Sequence, residues 1–387
     1  MKYNSTILRQ IIDLIRIQDV NRSVARYRGD WHGRQYQSWD NLLTLLSVHI
    51  VNINSLRELE TVLGVNTLKL YHLGIKAHKR STISDGIRRI NYRIHKNLFY
   101  KTLERYQRVT AHKRKQFRFK NPLTLMDSTV VNIGLGVVDW GRYAKSKGAI
   151  KLHYEYDLER DIPEFITITD KDANDCKIGK CTCRMKPDSI YCFDRGYNDY
   201  EWLYSFAQKG AFFVTRLKEN ADYSILGQQG HLSEAEQKQG LLYDLRIGLK
   251  GHVKNHPEGL RLIGYVDGET NIEYQFLTNN VELDAYTVTQ IYKARWNIEI
   301  FFKWIKQNLK IKTFLGTNTN AILSQIWVAM LYFLCLSFVK YQTKYQNSLF
   351  YLHKIIKSTL FYRRSLLEVL SLTHIRQKEV QLSLFDP

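Results

Sequence analysis

The sequence predicts an α/β protein: a mixed-sheet core with a β-rich insertion, a helical N-terminal domain and a helical C-terminal region. Three observations predict it. Between residues 121 and 217, three strand-like stretches in succession are followed by a strand–helix–strand pattern, which suggests a mixed sheet. Apolar residues recur at helical spacing in the first 120 residues and again after residue 288. The charge is also uneven along the chain. The 387 residues carry 57 Lys+Arg and 37 Asp+Glu, a net of +20. Residues 1–120 hold 24 basic and 8 acidic residues, residues 121–320 hold 25 and 26, and residues 321–387 hold 8 and 3.

The N-terminal domain, residues 1–120, reads as helical from its start. Met1 to Val20 has Arg9, Asp13, Arg16 and Asp19 among its apolar positions, so it is an amphipathic helix and not a secretory signal. Leu42, Leu43, Leu45, Leu46, Val48 and Ile50 predict a largely buried helix, and Ser55-Leu-Arg-Glu58 opens another, with Gly64 ending a short turn. Ser81-Thr-Ile-Ser-Asp85 supplies N-cap residues for a helix carrying Ile87, Ile90, Ile94, Leu98 and Leu103. Arg88, Arg89, Arg93 and Lys96 lie between those apolar positions. They are the candidate contacts to a polyanion, set against the plainer reading of a solvated helix face.

The core follows in two pieces, 121–217 and 288–325. Leu123–Met126 with Thr129–Ile133, Ala149–Tyr156, Phe165–Thr169, Ser189–Phe193 and Ala211–Thr215 read as strands, with a helix around Tyr200–Gln208. Residues 218–287 read as a β-rich insertion, since Leu260–Val266 and Asn271–Thr278 flank the hairpin signal Asp267-Gly268. A long amphipathic helix is predicted over 288–312. Residues 326–387 form the helical C-terminal region. Its apolar run Ile326–Val339 is short for a bilayer and stands alone, so it reads as a buried core helix rather than a membrane span.

Two carboxylates end apolar strands: Asp127 in Leu-Met-Asp-Ser-Thr129 and Asp194 in Cys-Phe-Asp-Arg-Gly196. Such acids are poorly solvated and need a cation, a capping bond or a metal. They either cap the following turns or share a divalent ion. On the predicted helix Tyr292, Arg295, Glu299 and Lys306 fall within about 60° of arc at 100° per residue. A solvated face with an Arg295–Glu299 pair accounts for that stripe at only ~0.3–0.5 kcal/mol. A third carboxylate completing a two-metal site for phosphoryl transfer accounts for it as well, with Arg295 and Lys306 holding phosphates.

These residues resemble the DDE transposases of bacterial insertion sequences, in the insertion-sequence-four family with the Tyr-Arg-Glu-Lys signature. That signature stands here as Tyr292, Arg295, Glu299 and Lys306. The resemblance extends to Leu125–Thr129, Trp140–Asp157, Asp194–Tyr197, Phe213–Arg216 and Phe301–Lys306. Ser55–Leu59 and Lys79–Ile83 are similar to an N-terminal domain of such enzymes, so the likeness covers nearly the whole chain. It implies a ribonuclease-H-like catalytic core interrupted by the insertion. Asp127, Asp194 and Glu299 are implied as the catalytic, metal-binding acids, and Tyr292, Arg295 and Lys306 as DNA contacts. It implies Mg2+, or Mn2+ in its place, and cutting of double-stranded DNA at the element ends. The freed 3′-hydroxyls are joined to target DNA by a homodimer or higher multimer.

One departure stands at Asn174-Asp175, where many relatives carry His-Asp. Cys176, Cys181, Cys183 and Cys192 do not have the spacing of a standard zinc site. With Cys335 the cysteines number five, which is no disulfide framework and suggests a reducing, cytoplasmic setting without a membrane partner. Two other classes are weighed. A non-enzymatic DNA-binding protein, such as a decayed element acting as a repressor, shares the basic N-terminal domain. A carboxylate-pair glycoside hydrolase is disfavoured by the charge and by three acids in place of two.

Overall fold

The computed structural model describes residues 5–31, 33–74, 76–113, 116–133, 148–250, 259–309 and 314–371. Residues 140–147 of the Trp140–Asp157 motif and residues 372–387 of the C-terminal region lie outside them. The chain divides into two compact units. One comprises Met1–His112, Asn132–Gly148 and Lys303–Pro387, the other Lys113–Val131 and Ala149–Phe302.

The first unit opens with α1 (Ile7–Ile12), α2 (Ile17–Tyr27), α3 (Ser38–Val51), α4 (Leu56–Val65), α5 (Thr67–Leu70), α6 (Arg80–Arg89) and α7 (Arg93–Val109). Ser55 caps α4 by accepting from Glu58 N, as its position predicts, while Gly64 sits inside that helix rather than ending it. The stretch Ser81–Asp85 lies within α6, whose N-cap is Lys79. The periodic run from Ile87 to Leu103 is two helices, because Ile90 is extended (φ −70°, ψ 123°). Asn320 accounts for that break. Its amide donates to the carbonyls of Ile87, Arg88 and Ile90, and its side-chain oxygen accepts from Tyr92 N at 2.9 Å.

The second unit is built on β1 (Leu123–Asn132), β2 (Ala149–Asp157), β3 (Ile162–Asp170), α8 (Asp175–Thr182), β4 (Ile190–Phe193), α9 (Tyr200–Gln208) and β5 (Phe212–Arg216). It continues with β6 (Tyr223–Gln228), α10 (Glu234–Lys238), β7 (Leu241–Leu249), β8 (Leu260–Val266), β9 (Glu273–Thr278), α11 (Ala285–Ala294) and the start of α12 (Trp296–Asn308), whose residues from Lys303 belong to the first unit. The strands form one mixed sheet in the order β3-β2-β1-β4-β5-β9-β8-β7-β6. β1, β4 and β5 run parallel, β2 and β3 pair antiparallel, and β9 joins β5 antiparallel. The strands between 218 and 287 therefore extend the sheet. Asp267-Gly268 opens a wider turn than a two-residue hairpin, closed by Asp267 N on the Ile272 carbonyl.

β4 is apolar throughout because both of its faces are covered. Tyr191 and Phe193 pack with Trp202, Phe206 and Phe213 on the α9 side. On the other side Cys192 Sγ lies 3.7 Å from the Ile291 carbonyl of α11.

The chain ends its described part in the first unit with α13 (Thr319–Thr343) and α14 (Leu349–Thr359). α13 is the only helix among the described residues long and apolar enough to cross a membrane, and its apolar window is entirely buried within the protein. It is apolar on all sides because α3, α6, α7 and α14 pack around it. Trp327 at its centre has ring centroids 5.6 Å from both Phe99 and Tyr100 of α7.

Candidate active site

Strand alternation and register bring the first two acids together. Met126 and Phe193 are partners in the parallel β1–β4 pair, so Asp127 and Asp194 follow side by side. Met126 and Phe193 both enter the α9-side core. Their successors turn to the opposite face, the face covered by α11. Asp194 is held by its own turn: it caps the short 3-10 helix Arg195–Tyr197 and accepts from Gly196 N at 2.9 Å. A Cβ on Gly196 would sit 3.0 Å from Asp194 Oδ1, so a larger residue there would press on the carboxylate.

The third acid arrives on a broken helix. The predicted single helix over 288–312 begins at Ala285 and is interrupted at Arg295, where α11 gives way to α12. Arg295 N bonds the Tyr292 carbonyl and Ile298 N bonds the Arg295 carbonyl, a tighter i to i−3 winding at the join. Apolar neighbours anchor the segment, with Phe301 packing edge-on against Tyr154 at 5.2 Å.

Arg295 joins the acids. Its guanidinium donates to Asp127 Oδ2 at 3.0 Å and to Glu299 Oε1 at 2.6 Å. The Arg295 and Asp127 side chains keep 16% and 17% of their surface exposed and Glu299 keeps 33%, so Asp127 is the desolvated acid and Glu299 the more open one. Burial pushes the Asp127 pKa up to about 6, and Asp194 and Glu299 add to that rise. The Ser128 N–H bond at 2.7 Å and the Arg295 charge oppose it. Burial works against the charge on Arg295, but Tyr292 and Asp127 outweigh it and its pKa rises. Tyr292 packs on Phe276 at 4.9 Å, its ring lies 5.7 Å from the Arg295 guanidinium, and burial lifts its hydroxyl to about 12. Lys306 stands on α12 two turns beyond Glu299.

The donor set suits a hard divalent ion, since all three acids offer oxygen and their mutual repulsion favours a shared cation. In the arrangement described that cation is the Arg295 guanidinium. Among the described residues no three acidic, histidine or cysteine groups converge closely enough to hold a metal. The five cysteines are unbridged.

The four N-terminal candidates belong to the first unit and differ in what holds them. Arg89 donates to the carbonyls of Gly29, Trp31 and Tyr36, which ties α6 to the loop after α2. Lys96 places Nζ 5.4 Å from the Trp327 ring. All four residues are exposed, and Arg93 lies 5.9 Å from the Tyr92 ring.

Reading the sequence alone gave no role to Lys151, His153 or Asp175, which the structure brings together: Lys151 Nζ and His153 Nδ1 lie 3.4 and 3.3 Å from the Asp175 carboxylate. The signal was present in the alternation of Lys151 and His153 on a predicted strand, and in Asn174-Asp175 as a helix start.

With the site assembled, its class follows from comparison. Residues 118–335, more than half of the chain, match the transposase DDE domain, and the chain belongs to that family. Residues 3–76 match a domain of unknown function. A Sinorhizobium fredii protein that bears a transposase name, y4zB, is 38% identical over 216 residues, 54% of this chain. The chain spans 58% of that relative's length. A Geobacillus stearothermophilus protein named for the transposase of insertion sequence element IS5377 is 28% identical, over 74% of this chain and 73% of its own. Among solved structures, a piggyBac transposase synaptic complex with hairpin DNA covers 94% of this chain and 79% of its own at 11% identity. Its TM-score is 0.44, too low to bear on the fold.

Proposed function

We propose that this chain cuts double-stranded DNA at the ends of its insertion sequence and joins the freed 3′-hydroxyls to target DNA. The chemistry would be two-metal-ion phosphoryl transfer on a ribonuclease-H-like core. The observation that carries the reading is the link from Asp127 through Arg295 to Glu299, beside Asp194 on the adjoining parallel strand. The order β3-β2-β1-β4-β5, antiparallel at one side and parallel at the other, suits that core.

Asp127, Asp194 and Glu299 would hold Mg2+, or Mn2+ in its place. When bound, the ions would supply charge neutralisation and activation of the attacking and leaving oxygens. The chain's own residues supply the rest. Arg295 presents a planar fork suited to a phosphate as well as to a carboxylate. Tyr292 supports that fork, and Lys306 offers a second positive charge along the helix. The partners are the element ends and the target, held by a homodimer or higher multimer. The complete burial of the apolar window of α13 suits an enzyme of the cytoplasm.

The test uses the purified full chain, duplex DNA from the flanks of its gene, and Mg2+ or Mn2+. Nicking at the element ends is expected. Asp127→Ala, Asp194→Ala and Glu299→Gln should each abolish it while DNA binding persists. Undiminished cutting in any one of them removes that residue from the site. A second reading is favoured by the guanidinium lodged between two of the acids: a non-enzymatic DNA-binding protein. It expects binding with no metal-dependent cutting by the wild type.

A further inference from the structure

The sheet stops holding the second acid before the acid is reached. The parallel β4–β5 ladder closes at Cys192 and Val214, so Asp194 and the turn after it stand beyond the strand pairing. In that register Thr215 and Arg216 are the residues that would follow opposite Phe193 and Asp194. The turn has bonds of its own: Gly196 N donates to Asp194 Oδ1 at 2.9 Å, Tyr197 N to the Asp194 carbonyl and Asn198 N to the Arg195 carbonyl, both at 3.2 Å. These shape the turn without fixing it to the sheet.

Asn198 makes that connection. Its Nδ2 donates to the Arg216 carbonyl at 2.7 Å, and its Oδ1 accepts from Thr215 Oγ1 at 2.8 Å. Its own carbonyl accepts from Lys218 Nζ at 2.7 Å. At the exposed edge of the same two segments the Arg195 guanidinium pairs with the Glu219 carboxylate. Asn198 is 5% exposed and Thr215 is fully buried, so water does not compete for these bonds. The side-chain amide thus continues the β4–β5 pairing past the last ladder bond. The chemistry requires an amide, which donates on one side and accepts on the other. A carboxylate of the same shape would set an oxygen against the Arg216 carbonyl.

We infer that Asn198 is a positioning residue for the cutting site: with Thr215 it fastens to β5 the turn whose Gly196 N–H orients the Asp194 carboxylate. The consequence for cutting rests on the proposed role of Asp194, while the anchoring does not. Misplacement of a reacting group by about 1 Å costs on the order of 100-fold in rate, so an anchor there has a kinetic effect.

Two measurements on the full chain test it. The first is hydrogen–deuterium exchange of the segment 194–199, with β2 as the internal reference. Asn198→Ala and Thr215→Val should each speed exchange in 194–199 and leave β2 unchanged. The double variant should go no further than Asn198→Ala, and Thr215→Ser, which keeps the hydroxyl, should exchange like the wild type. The second is steady-state cutting of the flanking DNA with Mn2+. Asn198→Ala should lower kcat by about tenfold or more with KM for DNA unchanged. Thr215→Val should lower it less, and Thr215→Ser should restore it. Where Asn198→Ala does not fold, the Thr215 pair decides both measurements. Unchanged exchange in 194–199 overturns the anchor, and so does exchange that quickens equally in β2. Faster local exchange with unchanged kcat overturns the positioning role. A wild type that does not cut overturns the proposed function and the positioning role with it, and exchange still decides the anchor.

Discussion

The Arg295 guanidinium donates to Oδ2 of Asp127 at 3.0 Å, joining residues 168 positions apart in the sequence. Both side chains are mostly buried, so neither charge is cheaply returned to water. Arg295→Gln should destabilise the protein by about 1–3 kcal/mol, read from urea unfolding at pH 7.5. Arg295→Lys keeps the charge but not the fork, and should lie between the two. Equal unfolding midpoints for wild type and Arg295→Gln would show that the pair contributes nothing.

The raised pKa of Asp127 predicts a pH dependence with a definite sign. An acid whose folded pKa lies above its unfolded value binds protons more tightly in the native state. Its contribution is favourable at low pH and is lost as pH rises from about 4 toward about 6, the folded value. Asp127→Asn should therefore flatten that part of the stability profile and gain on the wild type above pH 6. Glu155, pushed up to about 7 mainly by burial, changes in the same direction in both proteins, so the difference between the profiles isolates Asp127. Cutting that requires the Asp127 carboxylate should rise with pH through the same region. Removing the Arg295 charge should move that rise to higher pH. A difference profile that is flat from pH 4 to 7 would count against the shift.

The parts of this site that lie on continuous elements were legible in the sequence, and those that depend on strand partners were not. Asp127 and Asp194 were readable because each ends an apolar run. Their adjacency was not, because alternation specifies a face and not a neighbour. The stripe Tyr292–Lys306 was readable from helical spacing. The break at Arg295 was not, because the residue has good helix propensity and its partner Asp127 lies 168 positions away. Ile90 repeats the lesson, since its apolar spacing continues a helix that the Asn320 amide interrupts. The insertion read as β-rich, but only its pairing through β9 reveals that it prolongs the sheet. Asp175 was given no role because its partners Lys151 and His153 lie on β2, more than 20 positions away in sequence.

Asp244 and Arg261 form a bidentate pair in the extended part of the sheet, with bonds of 2.9 and 2.7 Å and side chains only 4–5% exposed. Arg261 also donates to the carbonyls of Asn280 and Leu283, so it fastens the approach to α11. Arg261→Ala strands a buried carboxylate and should cost about 3–5 kcal/mol. The double variant Asp244→Leu/Arg261→Met, which removes both charges, should cost distinctly less. Thermal unfolding of the three proteins checks the order. A double variant as unstable as Arg261→Ala would mean that the carbonyl contacts dominate.

The basic residues of α6 and α7 separate into two kinds, and DNA binding should separate them as well. Arg89 has its guanidinium committed to three carbonyls and Lys96 has its charge beside the Trp327 ring. Among the described residues no hydrogen bond or ion pair holds the Arg88 or Arg93 guanidinium, and both residues are exposed. A phosphate can therefore recruit Arg88 or Arg93 without breaking a hydrogen bond or ion pair, while recruiting Arg89 would free three carbonyls. Arg88→Ala and Arg93→Ala should weaken duplex binding, with each lost phosphate contact reducing the slope of log K against log salt by about 0.9. Arg89→Ala should leave that slope unchanged and lower stability by on the order of 2 kcal/mol. Binding isotherms at several salt concentrations, paired with urea unfolding, distinguish the two. Should Arg89→Ala alter the slope while Arg88→Ala and Arg93→Ala do not, the DNA-facing surface of this domain lies elsewhere than on the free face of these helices.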